Sequence, residues 1–285
     1  MELHNRCYVR LFGAWIGCCS PRNTGVAGFS DVSGPGGDQV CQSHAYGFLY
    51  LQVYLFTVFC VIMGAMPPPR VYSFQNQKGG SGKSTASINF AGELALRGQR
   101  VLFIDTDPQG TALDWSAART AAGLSPLFSV VGYPRVGLHK EIQNLGQGYD
   151  TVIIDNPARA TDIPRSNILA SDAVVIPVQP SPADIWATNE VLNLLEEASV
   201  FKENIISAFL VSRRIVGTSL GKSVRESLEG RGPTLLNTTI GQRIVYAESF
   251  ITGQVVKELE PNSVAAEEIS GLADEIGKLG VLVHG

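Results

Sequence analysis

The chain has 285 residues and a formal net charge of −4, with 45% hydrophobic and 17% charged residues. That balance excludes a disordered polyelectrolyte and a wholly basic, histone-like protein, so any contact with nucleic acid must come from a local basic patch. All five cysteines (Cys7, Cys18, Cys19, Cys41 and Cys60) precede residue 67. The remainder therefore lacks thiolates for an iron–sulfur cluster, zinc or a disulfide framework, and reads as a cytoplasmic domain.

Residues 1–66 form an N-terminal extension without lysine, Gly/Ser/Pro-rich over 30–37 and uncharged and largely apolar over 45–66. The apolar run has the roughly 20 residues that a transmembrane helix needs. Its nearest arginines, Arg22 and Arg70, give no basic cluster to orient an anchor. It also begins too far from Met1 for a secretory signal. Three readings stay open: sequence upstream of a natural start at Met63 or Met66, a membrane anchor, or a disordered or interacting extension. The abrupt change of composition favours the first.

Residues 67–285 alternate apolar strand patterns with helical ones. Strands are expected at 71–74, 101–104, 128–131, 151–154, 173–178, 205–211 and 235–239, all read as buried. The first helix is expected over 84–97, with Ile88, Ala91 and Ala95 on one face and Gly98 as its stop. The last is expected over 263–279, with Ala265, Ile269, Leu272, Ile276 and Leu279 as a core stripe and Glu267, Glu268, Asp274 and Glu275 elsewhere. Its acidic face argues against a membrane-surface helix. Such alternation predicts an α/β fold, a mostly parallel twisted sheet with helices on both faces.

Three clusters carry chemistry. Lys78, Gly79, Gly80, Ser81, Gly82, Lys83, Ser84 and Thr85 follow the first strand and open the first helix. This is the setting of a P-loop: glycines let the backbone wrap phosphate oxygens, the helix N-terminus points N–H groups at them, Lys83 adds a charge and the Ser84 hydroxyl can ligate Mg²⁺. The second strand ends in Asp105 and Asp107, two carboxylates on one side of the sheet's carboxyl edge; one can position a water and the other support the lysine or metal shell. A third strand ends in Asp155, suited to hold Mg²⁺ through its water shell. The histidines His4, His44, His139 and His284 show no metal spacing.

A P-loop ordinarily has glycine at the position held here by Gln77, and this chain instead has an early lysine, Lys78. The sequence from Lys78 to Ser84 resembles the deviant Walker A loop of the ParA/MinD family of dimerising ATPases, closest to small plasmid partition ParA proteins without an N-terminal helix-turn-helix. The resemblance spans about residues 69–279. It implies a P-loop NTPase fold, ATP and Mg²⁺ as cofactors, and a homodimer formed on ATP binding in which Lys78 reaches the partner's phosphates. It further implies that Asp107, within Asp-Pro-Gln, orients the hydrolytic water, with Asp105 in support, and that Ser84 and Asp155 surround the metal. Where the family commonly has Asp-Thr-Pro followed by glycine or proline, this chain has Asn156 and Ala158, a departure in the γ-phosphate switch.

Residues 175–182 resemble the segment that closes over the base and builds part of the dimer face, and residues 210–214 stand where base contacts are made. Residues 240–250 resemble small partition ATPases. The resemblance implies plasmid or chromosome partition by a cytoplasmic, nucleoid-associated ATPase. Its partners are sequence-independent DNA and a centromere-binding ParB/ParG-type protein. Candidate phosphate-binding residues are Arg213, Arg214, Lys222, Arg225, Arg231 and Arg243. Two other readings keep the nucleotide site: a MinD-like membrane regulator of division placement, and a scaffold that binds ATP without hydrolysing it. A nitrogenase-reductase-like electron donor is disfavoured because no cysteine follows residue 66.

Overall fold

The computed structural model describes residues 67–159, 162–215 and 220–281, together with 10–11 and 14–15. The chain divides into two units, Met1–Gly64 and Ala65–Gly285. In the first, Arg10–Leu11 pairs antiparallel with Ala14–Trp15. The apolar run 45–66, and the anchor reading attached to it, lie outside the described residues. Among the described residues no helix is long and apolar enough to cross a membrane.

The second unit alternates strands and helices. In order they are β1 (Arg70–Phe74), α1 (Lys83–Leu96), β2 (Val101–Asp105), α2 (Thr111–Ala121), β3 (Ser129–Gly132), α3 (Leu138–Leu145), β4 (Thr151–Asp155) and α4 (Asp162–Ala170). Then follow β5 (Ala173–Val178), α5 (Pro182–Ser199), β6 (Ile206–Arg214), α6 (Leu220–Leu228), β7 (Thr234–Gly241), α7 (Ile244–Thr252), α8 (Val256–Leu259) and α9 (Val264–Val281). The strands form one seven-stranded sheet in the order β3-β2-β4-β1-β5-β6-β7. Every pairing in it is parallel.

Because side chains alternate along a strand, each central strand feeds two cores. Phe103, Ile153, Val175 and Leu210 pack with α1, α2 and α7–α9 on one face. Their neighbours Val174, Ile176, Phe209 and Val211 pack under α5 and α6, and Leu102, Ile104, Val152 and Ile154 under α3 and α4. The strand expected at 128–131 departs from the buried reading. It is Ser129–Gly132, mostly exposed, because among the described residues it is an edge strand paired with β2 alone. The buried member of that segment is Phe128, which stacks on Trp115 with centroids 5.0 Å apart and on Phe103 at 5.9 Å.

The last helix keeps its stripe in the core: Ala265, Ile269, Leu272 and Ile276 are buried and Leu279 packs beside them. Two carboxylates off that stripe have a structural use. Glu275 accepts from the backbone N–H groups of Asn237 (2.7 Å) and Thr238 (2.8 Å), and Glu268 from that of Gly241 (3.1 Å). They satisfy donors on the outer edge of β7, an edge that would otherwise invite strand pairing.

Candidate functional site

The chain leaves β1 to each side of the sheet: β2–β4 lie on one flank and β5–β7 on the other. In parallel α/β sheets the crevice at such a switch point, at the carboxyl ends of the strands, is where ligands bind. The phosphate-loop segment 75–82 occupies it. Gln75 N–H donates to Val175 O (2.9 Å) and the Asn76 side-chain amide to Pro177 O (2.6 Å), fastening the loop to β5. Gly80 and Gly82 take φ of 76° and 90°, a turn open to glycine at little strain, and Gly82 precedes the first residue of α1. The far wall is β6 and the residues at its end: Ser212 Oγ donates to Ser81 O (2.6 Å) and Arg213 Nη1 to Gly80 O (2.9 Å). Gln179 also reaches Gly80 O.

Lys83 is buried, and its ammonium donates to Lys78 O (3.3 Å). Burial lowers its pKa, opposed by the charges of Asp155 and Asp107. β-Sheet register places Asp155 directly beside Asp105 on β2 and Phe74 on β1. Asp155 is fully buried, and among the described residues neither carboxylate oxygen has a partner in hydrogen-bond geometry. Burial pushes its pKa up to about 7 despite the nearby Ser84 hydroxyl and the opposing pull of Lys83. A buried carboxylate whose one nearby donor is the Ser84 hydroxyl is costly unless a cation completes it. With the Ser84 hydroxyl alongside, the oxygen donor set suits Mg²⁺.

Asp105 and Asp107 take different parts. Asp105 is buried and accepts from the backbone N–H groups of Ala112 (2.8 Å) and Asp107 (3.1 Å), so it shapes the turn into α2. Burial raises its pKa, and the backbone donors oppose the rise. Asp107 is half-buried and faces a cavity of about 470 Å³ with Gly79, Gln109, Pro157, Ala158 and Arg159 among its lining. Asn156 is locked away from that cavity's chemistry. Its amide donates to Ser73 Oγ (2.6 Å) and Phe74 O (3.0 Å), and its oxygen accepts from Asn167 (2.8 Å), which also donates to Thr106 Oγ1 (2.9 Å).

Lys78 is 38% exposed and forms an ion pair with Asp184 of its own chain. Asp184 is buried near the start of α5, where Ser181 caps the helix and bonds the same carboxylate. Sequence reasoning missed Asp184, Asn167 and Gln179. The pattern Ser181-Pro-Ala-Asp184 is a legible helix start, but its closeness to Lys78 is not.

The arginines read as DNA candidates are mostly engaged internally. Arg243 pairs with Glu268 (2.7 Å), Arg225 Nη1 donates to Leu236 O (2.8 Å), and Arg231 bonds Ile185 O, Thr188 and Asn189. Arg213 holds the phosphate loop as described, and Arg214 has its Nε buried. The Lys222 side chain lies outside the described residues. His139 bonds Ser166 Oγ (3.0 Å) between α3 and α4. A second cavity, about 170 Å³, adjoins the loop between Gly82, Thr85, Ser212, Arg213, Arg243, Tyr246 and Phe250.

Comparison with known proteins agrees with this geometry. The chain is 29% identical over 209 residues to maintenance of carboxysome distribution protein A of Halothiobacillus neapolitanus, covering 70% of this chain and 93% of the relative. It is 28% identical over 240 residues to the chromosome-partitioning ATPase Soj of Thermus thermophilus, covering 73% and 95%. The fold matches that of the septum site-determining protein MinD of Pyrococcus horikoshii, solved with Mg-ADP, at a TM-score of 0.59 and 20% identity over 74% of this chain and 97% of that one. A family model described as the CobQ/CobB/MinD/ParA nucleotide binding domain matches residues 72–279, and the chain belongs to this ParA/MinD family of nucleotide-binding ATPases.

Proposed function

We propose that this chain is an Mg²⁺-dependent ATPase that dimerises on ATP, binds DNA without sequence preference and drives plasmid or chromosome segregation. The observation that carries the reading is the pair of unpartnered Asp155 oxygens behind the Lys83 loop, a donor set that a metal-bound triphosphate completes. Backbone N–H groups of residues 79–85 and the N-terminus of α1 bind the phosphates, with Lys83 between them. Ser84 and Asp155 hold Mg²⁺, which neutralises phosphate charge when bound. Asp107 orients the attacking water, whose oxygen bonds to the γ-phosphorus as the bond to the β–γ bridging oxygen breaks. Asp105 keeps the Asp107 turn in place. The base occupies the cavity beside Tyr246 and Phe250.

Lys78 is held by Asp184 of its own chain. Dimerisation exchanges that carboxylate for the partner's phosphates, so hydrolysis switches on only when two copies close. Trp186, 70% exposed two residues beyond Asp184, is an apolar side chain that a second copy would cover. A centromere-binding ParB/ParG-type protein accelerates the cycle, and the dimer is cytoplasmic and nucleoid-associated. With Arg225, Arg231 and Arg243 internally engaged and Arg213 bonded to Gly80 O, Arg214 at the end of β6 remains the DNA candidate nearest the loop.

The similarity to a carboxysome distribution protein favours a second reading of cargo, in which the same cycle spaces a protein compartment on the nucleoid. The test is DNA binding, mass and phosphate release of the full chain with ADP, ATP and a slowly hydrolysed ATP analogue. An ATP-specific, DNA-bound dimer that releases phosphate is expected. A monomer in all three states would refute the engine, and a dimer without phosphate release would establish the non-hydrolysing scaffold.

A further inference from the structure

Among the described residues, the non-glycine residues with positive φ are Arg159 (58°) and Arg213 (51°), and both flank the phosphate loop. An L-residue in the left-handed region is strained unless its surroundings hold it there, and such strain collects at ligand-binding turns. Arg213 has its partner in Gly80 O. Arg159 is held by its backbone, whose N–H donates to Gln77 O (3.2 Å), the residue just before Lys78. Its side chain is exposed and makes no hydrogen bond or ion pair with the described residues, yet it lines the 470 Å³ cavity together with Gly79 and Asp107.

Charge sharpens the point. Three carboxylates, Asp105, Asp107 and Asp155, converge on this edge of the sheet. Lys83 is opposed to two of them, and Lys78 is already neutralised by Asp184. Asn156, the other departure in the switch segment, is consumed by a buried network and has no amide to spare for a ligand. Among the described residues, the uncommitted cation on the cavity wall is the Arg159 guanidinium, whose planar fork suits phosphate oxygens.

We propose that Arg159 binds the terminal phosphate of the nucleotide held by its own subunit and makes the site prefer a nucleoside triphosphate to a diphosphate. The assignment rests on the nucleotide-site reading above and adds to it the residue that senses the γ-phosphate. The test is calorimetric titration of the full chain with Mg-ADP and with a non-hydrolysable Mg-ATP analogue, for wild type, Arg159→Gly and Arg159→Lys. Glycine adopts the left-handed backbone freely, so Arg159→Gly removes the guanidinium without disturbing the turn. Its ADP affinity should stay within about twofold, while analogue affinity falls about tenfold or more, the scale of a lost charge-assisted hydrogen bond. Arg159→Lys, charged but unable to bind bidentately, should fall between. An unchanged preference in Arg159→Gly, or equal weakening of both nucleotides, would overturn the proposal. Wild-type protein that binds neither nucleotide would overturn the nucleotide-site reading itself.

Discussion

Replacing Asp155 by asparagine should stabilise the metal-free protein and abolish its response to magnesium nucleotide. Asp155 is fully buried with both oxygens unpartnered among the described residues, and burial pushes its carboxyl up to about 7 from an ordinary 3.8. For an acid raised in the fold, the unfolded chain releases its proton first as pH rises. Stability therefore declines from about pH 4 to pH 7, and the whole penalty persists above that. At 1.36 kcal/mol per pH unit the ceiling at pH 8 is about 4 kcal/mol, and the high effective dielectric found even at buried sites reduces this to about 1–2 kcal/mol. At pH 5 roughly a third of the penalty has developed.

The assay is urea unfolding of wild type and Asp155→Asn in a chelating buffer at pH 5 and pH 8, repeated at pH 8 with Mg-ADP. The variant should be the more stable of the two without metal, with the larger margin at pH 8. Wild type alone should gain strongly from Mg-ADP, since a ligand stabilises by mass action only the state that binds it. A variant less stable than wild type at pH 8 without metal would refute the argument that Asp155 waits for a cation. So would a variant that gains as much from Mg-ADP as wild type does.

Three further substitutions probe the site and its supports. Asp107→Ala should slow single-turnover phosphate release by about 100-fold or more while ATP still binds, leaving an ATP-bound dimer on DNA; normal release would remove its water-orienting role. At Gly253, φ is 64° and an added Cβ would lie 2.1 Å from the Arg119 backbone nitrogen, so Gly253→Ala should destabilise by about 2–4 kcal/mol in urea unfolding. An unchanged midpoint would contradict the packing of the α7 terminus on α2. Glu258 holds the nearly buried Arg119 through two bonds of 2.8 and 2.9 Å. Glu258→Ala should cost about 2–3 kcal/mol, because among the described residues Arg119 then keeps the Ser125 and Gly253 carbonyls and the Trp115 ring but no carboxylate. A double-mutant cycle with Arg119→Met should recover part of that loss.

What the sequence alone determined was whatever depends on neighbours along the chain. The phosphate loop is legible because glycines, lysine and serine act within one turn between a strand and a helix, and Asp105, Asp107 and Asp155 are legible because each closes a strand at or just past its carboxyl end. Tertiary structure decided which distant groups meet these residues. Lys78 and Asp184 are 106 positions apart and pair because the loop after β1 is fastened to β5, beside the start of α5. Exposure of β3 follows from its place at the sheet edge, which apolar pattern cannot reveal. The basic residues of the C-terminal half look alike in sequence, yet Glu268 claims Arg243 and the Leu236 carbonyl claims Arg225. A side chain's charge is written locally, but whether that charge is free depends on partners that only the folded chain brings within reach.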